Sequence, residues 1–197
     1  MNVYHIQDIH LQVITEIHQE DYTFQKQQHQ AEILSFHIRN SPYKVIVSGD
    51  FNNDGYKDIA ELNYADQTVQ VFLNTRLGSF QKTKQLVKPG KIPINMISGD
   101  FNKDGNADLA VTMRYFQVMV ISGKGNGYFN EPVKIDVNGQ PTGIIIGDYN
   151  KDENTDIAIG LAGSGNTGVQ ILWGKGNGMF EKSKVFKGGK QPLTVVN

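Results

Sequence analysis

One acidic segment recurs three times along the chain, and its regular spacing constrains the fold more than any other feature. The segment reads DFNNDGYKDIA from Asp50, DFNKDGNADLA from Asp100 and DYNKDENTDIA from Asp148, so the copies start 50 and 48 residues apart. A fixed period on the order of 20 to 50 residues is typical of solenoids and propellers, in which each repeat is one supersecondary unit. The spacing therefore predicts a tandem-repeat protein.

A second pattern runs in step with the first, because each acidic segment is followed by an alternating apolar run and then by a phenylalanine. The valine that opens each run lies 11 residues before that phenylalanine, in the pairs Val69 and Phe80, Val118 and Phe129, and Val169 and Phe180. Short apolar runs also flank each acidic segment, so every repeat contains four predicted strands. The fourth strand is predicted to begin at the phenylalanine, that is at Phe80, Phe129 and Phe180. Four strands per repeat indicate a β-propeller blade, and no stretch carries a sustained helical period. The predicted fold class is all-β, a propeller segment of about four four-stranded blades.

The ends of the chain are predicted to be partial blades. Val13 lies 11 residues before Phe24, so residues 1–40 are interpreted as a degenerate partial blade. The other predicted units are three blades with one acidic loop each and a further first strand, at residues 41–88, 89–138, 139–188 and 189–197. Either the termini join in a small closed ring, or the chain is a piece of a larger propeller. We expect the second, because the sequence stops just before the next expected aspartate.

Oxygen-bearing residues occupy alternate positions of each acidic loop. With the first aspartate as position 1, positions 1, 3, 5, 7 and 9 are predicted to bind one calcium ion, which takes about six to eight oxygen ligands. Carboxylates held this close also repel each other unless a cation is bound. The predicted ligands are Asp50, Asn52, Asp54, the Tyr56 carbonyl and Asp58, then Asp100, Asn102, Asp104, Asn106 and Asp108, and finally Asp148, Asn150, Asp152, Asn154 and Asp156.

The sixth position distinguishes the third loop from the other two. Gly55 and Gly105 stand there in the first two loops, where the chain must turn sharply, whereas the third loop has Glu153. A residue with a side chain costs on the order of 1 kcal/mol in such a backbone. We therefore expect up to three calcium ions, with the third site the weakest.

The aromatic residues of the repeat are predicted to serve packing. A phenylalanine or tyrosine follows the first aspartate of every loop, and we expect these rings to pack between blades. Trp173, the only tryptophan, is predicted to lie in the core rather than on a ligand surface. The three rings that follow the aspartates are Phe51, Phe101 and Tyr149.

The acidic loops, each followed by an apolar strand and, in two repeats, a GxGxF-type turn, resemble FG-GAP and VCBS repeats, as found in the propeller of integrin α-subunits. The resemblance covers Tyr43 to Asn197 and reaches the first 40 residues only through the phase of the pattern. It implies a propeller, usually of seven blades, with calcium in the hairpin between the first and second strands of a blade. It further implies adhesion, carbohydrate binding or scaffolding within a larger enzyme as the roles of such a propeller.

Two functions are compatible with the sequence. The first is a calcium-stabilised cell-surface or secreted module that binds a protein or a carbohydrate, because three acidic loops occur without a catalytic constellation. The second is a non-catalytic or scaffold part of an extracellular polysaccharide lyase or hydrolase. The chain itself is predicted not to be an enzyme, since cysteine is absent and no serine has a nucleophile-elbow context. Self-association or the remaining blades of a longer chain are further expected partners.

Several other classes of protein are disfavoured. The net charge of −1 comes without a basic cluster along one element, so a nucleic-acid partner is not expected. No stretch approaches the roughly 18 apolar residues of a membrane span, so membrane insertion is not expected either. Glu61 completes the sequence pattern of an EF-hand calcium loop, but predicted strands flank the loop where an EF-hand has helices. Gly163 begins a GxGxxG sequence, but a predicted strand follows it where a dinucleotide-binding site requires a helix. All five histidines fall in the first 40 residues without regular spacing, which favours surface histidines over a zinc site.

Overall fold

The computed structural model describes residues 44–163 and 167–188, and every regular element in these ranges is a β-strand. The strands form three antiparallel sheets, each built from consecutive segments of the chain, so the predicted all-β fold of four-stranded blades is confirmed. These sheets do not close into a ring. The partial blade predicted at residues 1–40, the strand predicted at 189–197 and the five histidines lie outside the described residues.

Each sheet is one blade in which the strands follow each other as hairpins. The first blade contains β1 (Lys44–Gly49), β2 (Asp58–Asn63), β3 (Thr68–Asn74) and β4 (Phe80–Val87). The second contains β5 (Pro93–Gly99), β6 (Asp108–Met113), β7 (Gln117–Ile121) and β8 (Val133–Asp136). The third contains β9 (Gln140–Gly147), β10 (Asp156–Ala162), β11 (Gly168–Gly174), β12 (Phe180–Lys182) and β13 (Phe186–Lys187). Because β12 and β13 both pair with β11, they are two parts of one interrupted fourth strand.

Neighbouring blades pack face to face through apolar side chains. One cluster joins the first and second blades and includes Leu62, Val71 and Val111. The other joins the second and third blades and includes Val120 and Ile159. Successive side chains of a strand point to opposite faces, so a blade that is buried on both faces needs apolar residues at consecutive positions. This explains why β6 and β10, the second strands of the second and third blades, are nearly continuous apolar runs, whereas Glu61 interrupts the run in β2.

The fourth strand of the second blade departs from the sequence prediction. β4 and β12 begin at Phe80 and Phe180 as predicted, but β8 begins at Val133, so the start predicted at Phe129 is wrong. The Phe129 N–H donates to Gln85 Oε1 at 2.8 Å, and its carbonyl accepts from Gln85 Nε2 at 3.0 Å. Because a side chain of the first blade satisfies the backbone of Phe129, this residue forms only an isolated bridge within its own blade.

The glycine that precedes each acidic loop makes room for the ring two residues later. A Cβ atom on Gly99 would lie 2.9 Å from Ile146 Cδ1 and 3.2 Å from Phe101 Cε1. Added Cβ atoms on Gly49 and Gly147 would lie 3.0 Å from the rings of Phe51 and Tyr149. The recurrent Gly-Asp-aromatic sequence therefore has a packing origin, since the ring folds back over the end of the first strand.

Candidate functional site

The three acidic loops, 50–58, 100–108 and 148–156, occupy the same place in their blades, between the first and second strands. We call them the first, second and third loops. Each has positive φ angles at positions 4 and 6, and the third loop has them without glycine. The angles are 56° and 85° at Asn53 and Gly55, 59° and 81° at Lys103 and Gly105, and 60° and 64° at Lys151 and Glu153. The backbone curl expected from the glycines is therefore present in all three loops.

Side chains of each loop hold this curl by accepting hydrogen bonds from backbone N–H groups. In the second loop, Asp100 Oδ2 accepts from Gly105 at 3.0 Å, and Asn102 Oδ1 accepts from Asp104 at 3.0 Å. Asp104 Oδ1 accepts from Asn106 at 2.8 Å. The first and third loops repeat all three bonds, with Glu153 donating in place of the glycine. The side chains at positions 1, 3 and 5 thus point into the curl.

The aspartate at position 9 has a different role, because it is fully buried at the start of the second strand. Asp108 Oδ2 accepts from the Phe101 N–H at 3.0 Å, and its Oδ1 accepts from the Gly123 N–H at 2.8 Å. One carboxylate therefore joins the beginning of the loop to the end of the third strand. Asp58 does the same with Phe51 and Asn74, and Asp156 with Tyr149 and Gly174.

Sequence reasoning treated position 9 only as a ligand and missed this structural bridge. Burial raises the pKa of Asp108 to about 6; the N–H groups of Phe101 and Gly123 oppose the shift, and the charges of Asp104 and Asp100 add to it. Burial likewise raises the pKa of Asp58. The position-9 carboxylate is buried and lies near two other carboxylates of its loop. A cation bound beside it would favour its ionised form.

The exposed aspartates at position 5 are shifted in the opposite direction. Hydrogen bonds from the Asn154 N–H and the Asn150 side chain lower the pKa of Asp152. Burial acts to raise the pKa of Asp104, but hydrogen bonds, led by the one from the Asn106 N–H, outweigh it and lower the pKa. These carboxylates are therefore held in the ionised form that a metal ligand requires.

The first loop also has a basic neighbour that sequence reasoning missed. An Arg76 guanidinium nitrogen lies 3.3 Å from Asp54 Oδ2, and the guanidinium carbon lies 4.9 Å from the centre of the Tyr56 ring. Arg76 has a φ of 64°, and the GxGxF turns of the other two blades have glycine at this place, Gly125 and Gly176. The sequence contained a signal for this difference, because the Thr75–Phe80 turn has an arginine where the other two turns have a glycine.

The donor chemistry of the loops fits calcium. Every predicted ligand is a carboxylate, amide or carbonyl oxygen, and an ionised carboxylate has about four lone-pair sites, so the hydrogen bonds above leave capacity for a metal. Among the described residues, no three side chains of the His, Cys, Asp or Glu types are grouped so as to hold a metal by themselves. A calcium site would therefore need the asparagine and backbone oxygens as well. The fifteen ligand assignments remain predictions.

The loops are also joints between blades. Gly127 of the second blade donates its N–H to the Phe51 carbonyl at 2.7 Å, and the Phe51 and Phe129 rings lie 5.7 Å apart. The third blade repeats this, with Gly178 donating to the Phe101 carbonyl at 3.1 Å and the rings of Phe101 and Phe180 5.9 Å apart. The predicted packing of Phe51 and Phe101 between blades is confirmed.

Two aromatic residues of the third blade differ from their predicted places. Tyr149, the third ring of the series, is 40% exposed, because no described blade follows the third one. Trp173 is half-buried on β11 rather than enclosed in the core. The joints also bring the first and second loops close to turns between third and fourth strands. The exposed large apolar side chains on the loops and on these turns are Tyr56, Leu77, Tyr128, Tyr149 and Met179.

Comparison with known families and structures agrees with this fold. Residues 50–111, which include the first and second loops, match the model of the FG-GAP-like repeat, so the predicted repeat type is confirmed. No curated protein matches the chain. The described part of the chain contains no helix with the length and apolar character needed to cross a membrane.

Two solved structures are similar to this chain at low sequence identity. A crystal structure of BBS1N in complex with ARL6DN, soaked with lead, is 13% identical with a TM-score of 0.53, and the match covers 77% of this chain and 46% of that one. The Photorhabdus luminescens Tc holotoxin pore is 19% identical with a TM-score of 0.46, covering 73% of this chain and 7% of that one. This chain thus spans less than half of either protein chain. The first similarity supports a propeller-type fold and says nothing about function.

Proposed function

The chain carries an FG-GAP-like repeat on a β-propeller-type fold, and from that premise we propose a calcium-stabilised module that binds a protein or carbohydrate at the cell surface or outside the cell. The observation that carries the proposal is the repetition of one oxygen-lined curl in three blades. Each curl points side-chain oxygens from positions 1, 3 and 5 inward and ends at a buried aspartate. A repeated donor set suits a structural ion, because one active site does not need three copies.

In this proposal the residues at positions 1, 3, 5, 7 and 9 of each loop bind one ion. At position 7 of the first loop, the ligand is the backbone carbonyl of Tyr56. A bound calcium ion would offset the mutual repulsion of the carboxylates and fix the curl. Because the first and second loops also contact the next blade through Phe51 and Phe101, stiffening these loops also stiffens the joints between blades. Extracellular calcium modules have dissociation constants on the order of 10⁻⁴–10⁻³ M, which suits a calcium-rich compartment.

The exposed apolar side chains near the loops support a binding role. Leu77 and Met179 are largely exposed at the tips of turns that lie beside the first and second loops. We take these two exposed apolar side chains as candidate groups for contact with a ligand. Under this proposal the chain is non-catalytic, and calcium shapes the end of the molecule that binds.

Thermal unfolding in calcium and in EDTA tests the metal. With about 5 mM free calcium, each site should add about 1–2 kcal/mol by mass action, which corresponds to a rise of a few degrees in the melting temperature. Asp104→Asn keeps an acceptor for Asn106 but removes a charged ligand, and it should lower the calcium-dependent rise. Asp136→Asn, an exposed change on β8, is the control and should leave the rise unchanged. A melting temperature equal in calcium and EDTA would contradict the proposal.

The binding role needs a separate measurement. A glycan array and a panel of extracellular-matrix proteins, each probed in calcium and in EDTA, should give a ligand that is bound only in calcium. Substituting the exposed Leu77 and Met179 by serine should weaken that binding without changing the melting temperature. Binding that is unaffected by both EDTA and these substitutions would place the ligand surface elsewhere.

A further inference from the structure

The first and second loops contact each other directly at the joint between their blades. Asn53 Nδ2, at position 4 of the first loop, donates to Asn106 Oδ1, at position 7 of the second loop, at 2.6 Å. The contact lies against Gly125 of the second blade, because a Cβ atom added there would collide with Asn106 Oδ1 and lie 2.7 Å from Asn53 Nδ2. A side chain of one loop therefore reaches a predicted calcium-binding residue of the next.

Both ends of the Asn106 side chain are engaged. Its Oδ1 accepts from Asn53, and the side chain also hydrogen-bonds to Asp104, the position-5 carboxylate of the same loop. Asn106 therefore connects the first loop to a carboxylate of the second. Because its side chain has these two partners, its backbone carbonyl is the better candidate for the calcium ligand at position 7, as it is for Tyr56.

The joint between the second and third blades has a lysine in place of the asparagine. Lys103 lies at position 4 of the second loop, and its φ of 59° nearly equals the 56° of Asn53. Gly176 of the third blade is the equivalent of Gly125. A Cβ atom added to Gly176 would lie 3.4 Å from Lys103 Cδ and would collide with Asn154 Oδ1 of the third loop. The lysine stem therefore lies beside position 7 of the third loop.

This lysine brings a positive charge to the third loop. Hydrogen bonds within that loop are the main influences that lower the pKa of Asp152, and the charge of Lys103 adds to them. Lys175 also lies near Asp152, but its ammonium is paired with Glu181 at 2.6 Å. Burial opposes the lowered pKa of Asp104 in the second loop, and the influences that lower it are hydrogen bonds alone, without a cation. The two loops therefore differ in charge although they share one backbone shape.

We propose that the residue at position 4 of one loop tunes the calcium affinity of the next: Asn53 supports the second site, and Lys103 weakens the third. The inference rests on the proposed calcium sites and specifies how neighbouring sites influence each other. Asn53 orients a ligand residue without adding charge. The Lys103 ammonium opposes a divalent cation near it, because like charges repel. The third site is then weaker than the second for a reason separate from Glu153.

A reciprocal exchange at position 4 tests the proposal in the full chain. Calcium titration is followed by NMR through the position-6 amides of Gly55, Gly105 and Glu153, so that each loop has its own signal. Lys103→Asn should raise the affinity of the third site about two- to fivefold, the range of an exposed ion pair. Asn53→Lys should lower the affinity of the second site by a similar factor. The same spectra show that each variant is folded.

Two control variants separate charge from other effects. Lys103→Arg keeps the charge and a long stem, so the third site should bind calcium as in the unsubstituted chain. Lys134→Asn removes the same charge from β8, outside the loops, and should change no site. At about 0.5 M salt the effect of Lys103→Asn should shrink, because exposed charges are then screened over a few ångströms.

Each negative result has a distinct meaning. If none of the three amides responds to calcium in the unsubstituted chain, the proposed function fails and this inference falls with it. If the amides respond but Lys103→Asn and Asn53→Lys leave the affinities unchanged, only this inference is overturned. Equal gains from Lys103→Asn and Lys103→Arg would also overturn it, because the charge would then have no effect.

Discussion

The second and third loops differ at the position that was expected to matter most, and yet they have the same shape. Gly105 and Glu153 both lie at positive φ, and both donate their N–H groups to the aspartate at position 1. Asp108 and Asp156 bridge the same two backbone sites. The comparison teaches that hydrogen bonds donated by backbone N–H groups to side-chain oxygens determine the curl, while glycine only lowers its conformational cost.

The largest expected effect comes from removing the bridge at position 9. Asp108→Asn and Asp156→Asn each leave one buried N–H facing an amide NH₂ group instead of an acceptor, which should cost about 2 kcal/mol. Urea unfolding in EDTA measures the change in the free energy of unfolding. Because the two bridges are alike, the two variants should lose similar amounts.

Asp136→Asn serves as the control for these variants, since this exposed aspartate on β8 bridges no backbone groups of a loop, and it should change the free energy by less than about 0.5 kcal/mol. A difference of more than about 1 kcal/mol between the two position-9 variants would break the comparison, because the loops would then depend on their bridges unequally.

A reciprocal exchange at position 6 gives the next largest effect. Gly105→Glu should destabilise the chain by about 1 kcal/mol in EDTA, because a side chain is unfavourable at this φ. A Cβ atom added to Gly105 meets no atom within 4 Å, so the cost is conformational rather than steric. Glu153→Gly should change the free energy in the opposite sense.

Calcium titration of the same two variants extends this comparison to the metal. The affinity of the third site should rise in Glu153→Gly and that of the second site should fall in Gly105→Glu, each by several-fold. If both substitutions leave the calcium affinities unchanged, the residue at position 6 does not determine which site binds calcium most weakly. The prediction that the third loop is the weakest site would then be wrong.

The smallest expected effect concerns the first loop, which has a basic neighbour at Asp54. Arg76→Gln removes the guanidinium charge 3.3 Å from the carboxylate and should raise the calcium affinity of the first site about two- to fivefold, since exposed ion pairs are worth about 0.2–1 kcal/mol. Isothermal titration calorimetry measures the affinity. Arg114→Gln, in the exposed turn between β6 and β7, is the matched control and should have no effect.

Much of the fold could be predicted because the pattern is local and repeated. The alternation at Val69 and Val71 predicted β3, and the glycine of the first two loops predicted positive φ at position 6. The prediction for Phe129 failed because its partner, Gln85, comes from another blade 44 residues away. The basic neighbour of Asp54 was missed for the same reason, since Arg76 lies 22 residues further along the chain.

The sequence by itself determined the unit of this protein: an antiparallel blade of four strands with an oxygen-lined curl after the first. Strand alternation, turn glycines and the spacing of the aspartates are local patterns along the chain, so the amino-acid sequence alone is enough to recognise them. Only the tertiary structure decided which carboxylates bridge two backbone N–H groups, which aromatic rings pack at the joints between blades, and which side chains stay exposed. Asp108 is buried, Phe101 is enclosed and Tyr149 is open because burial depends on whether another blade lies alongside.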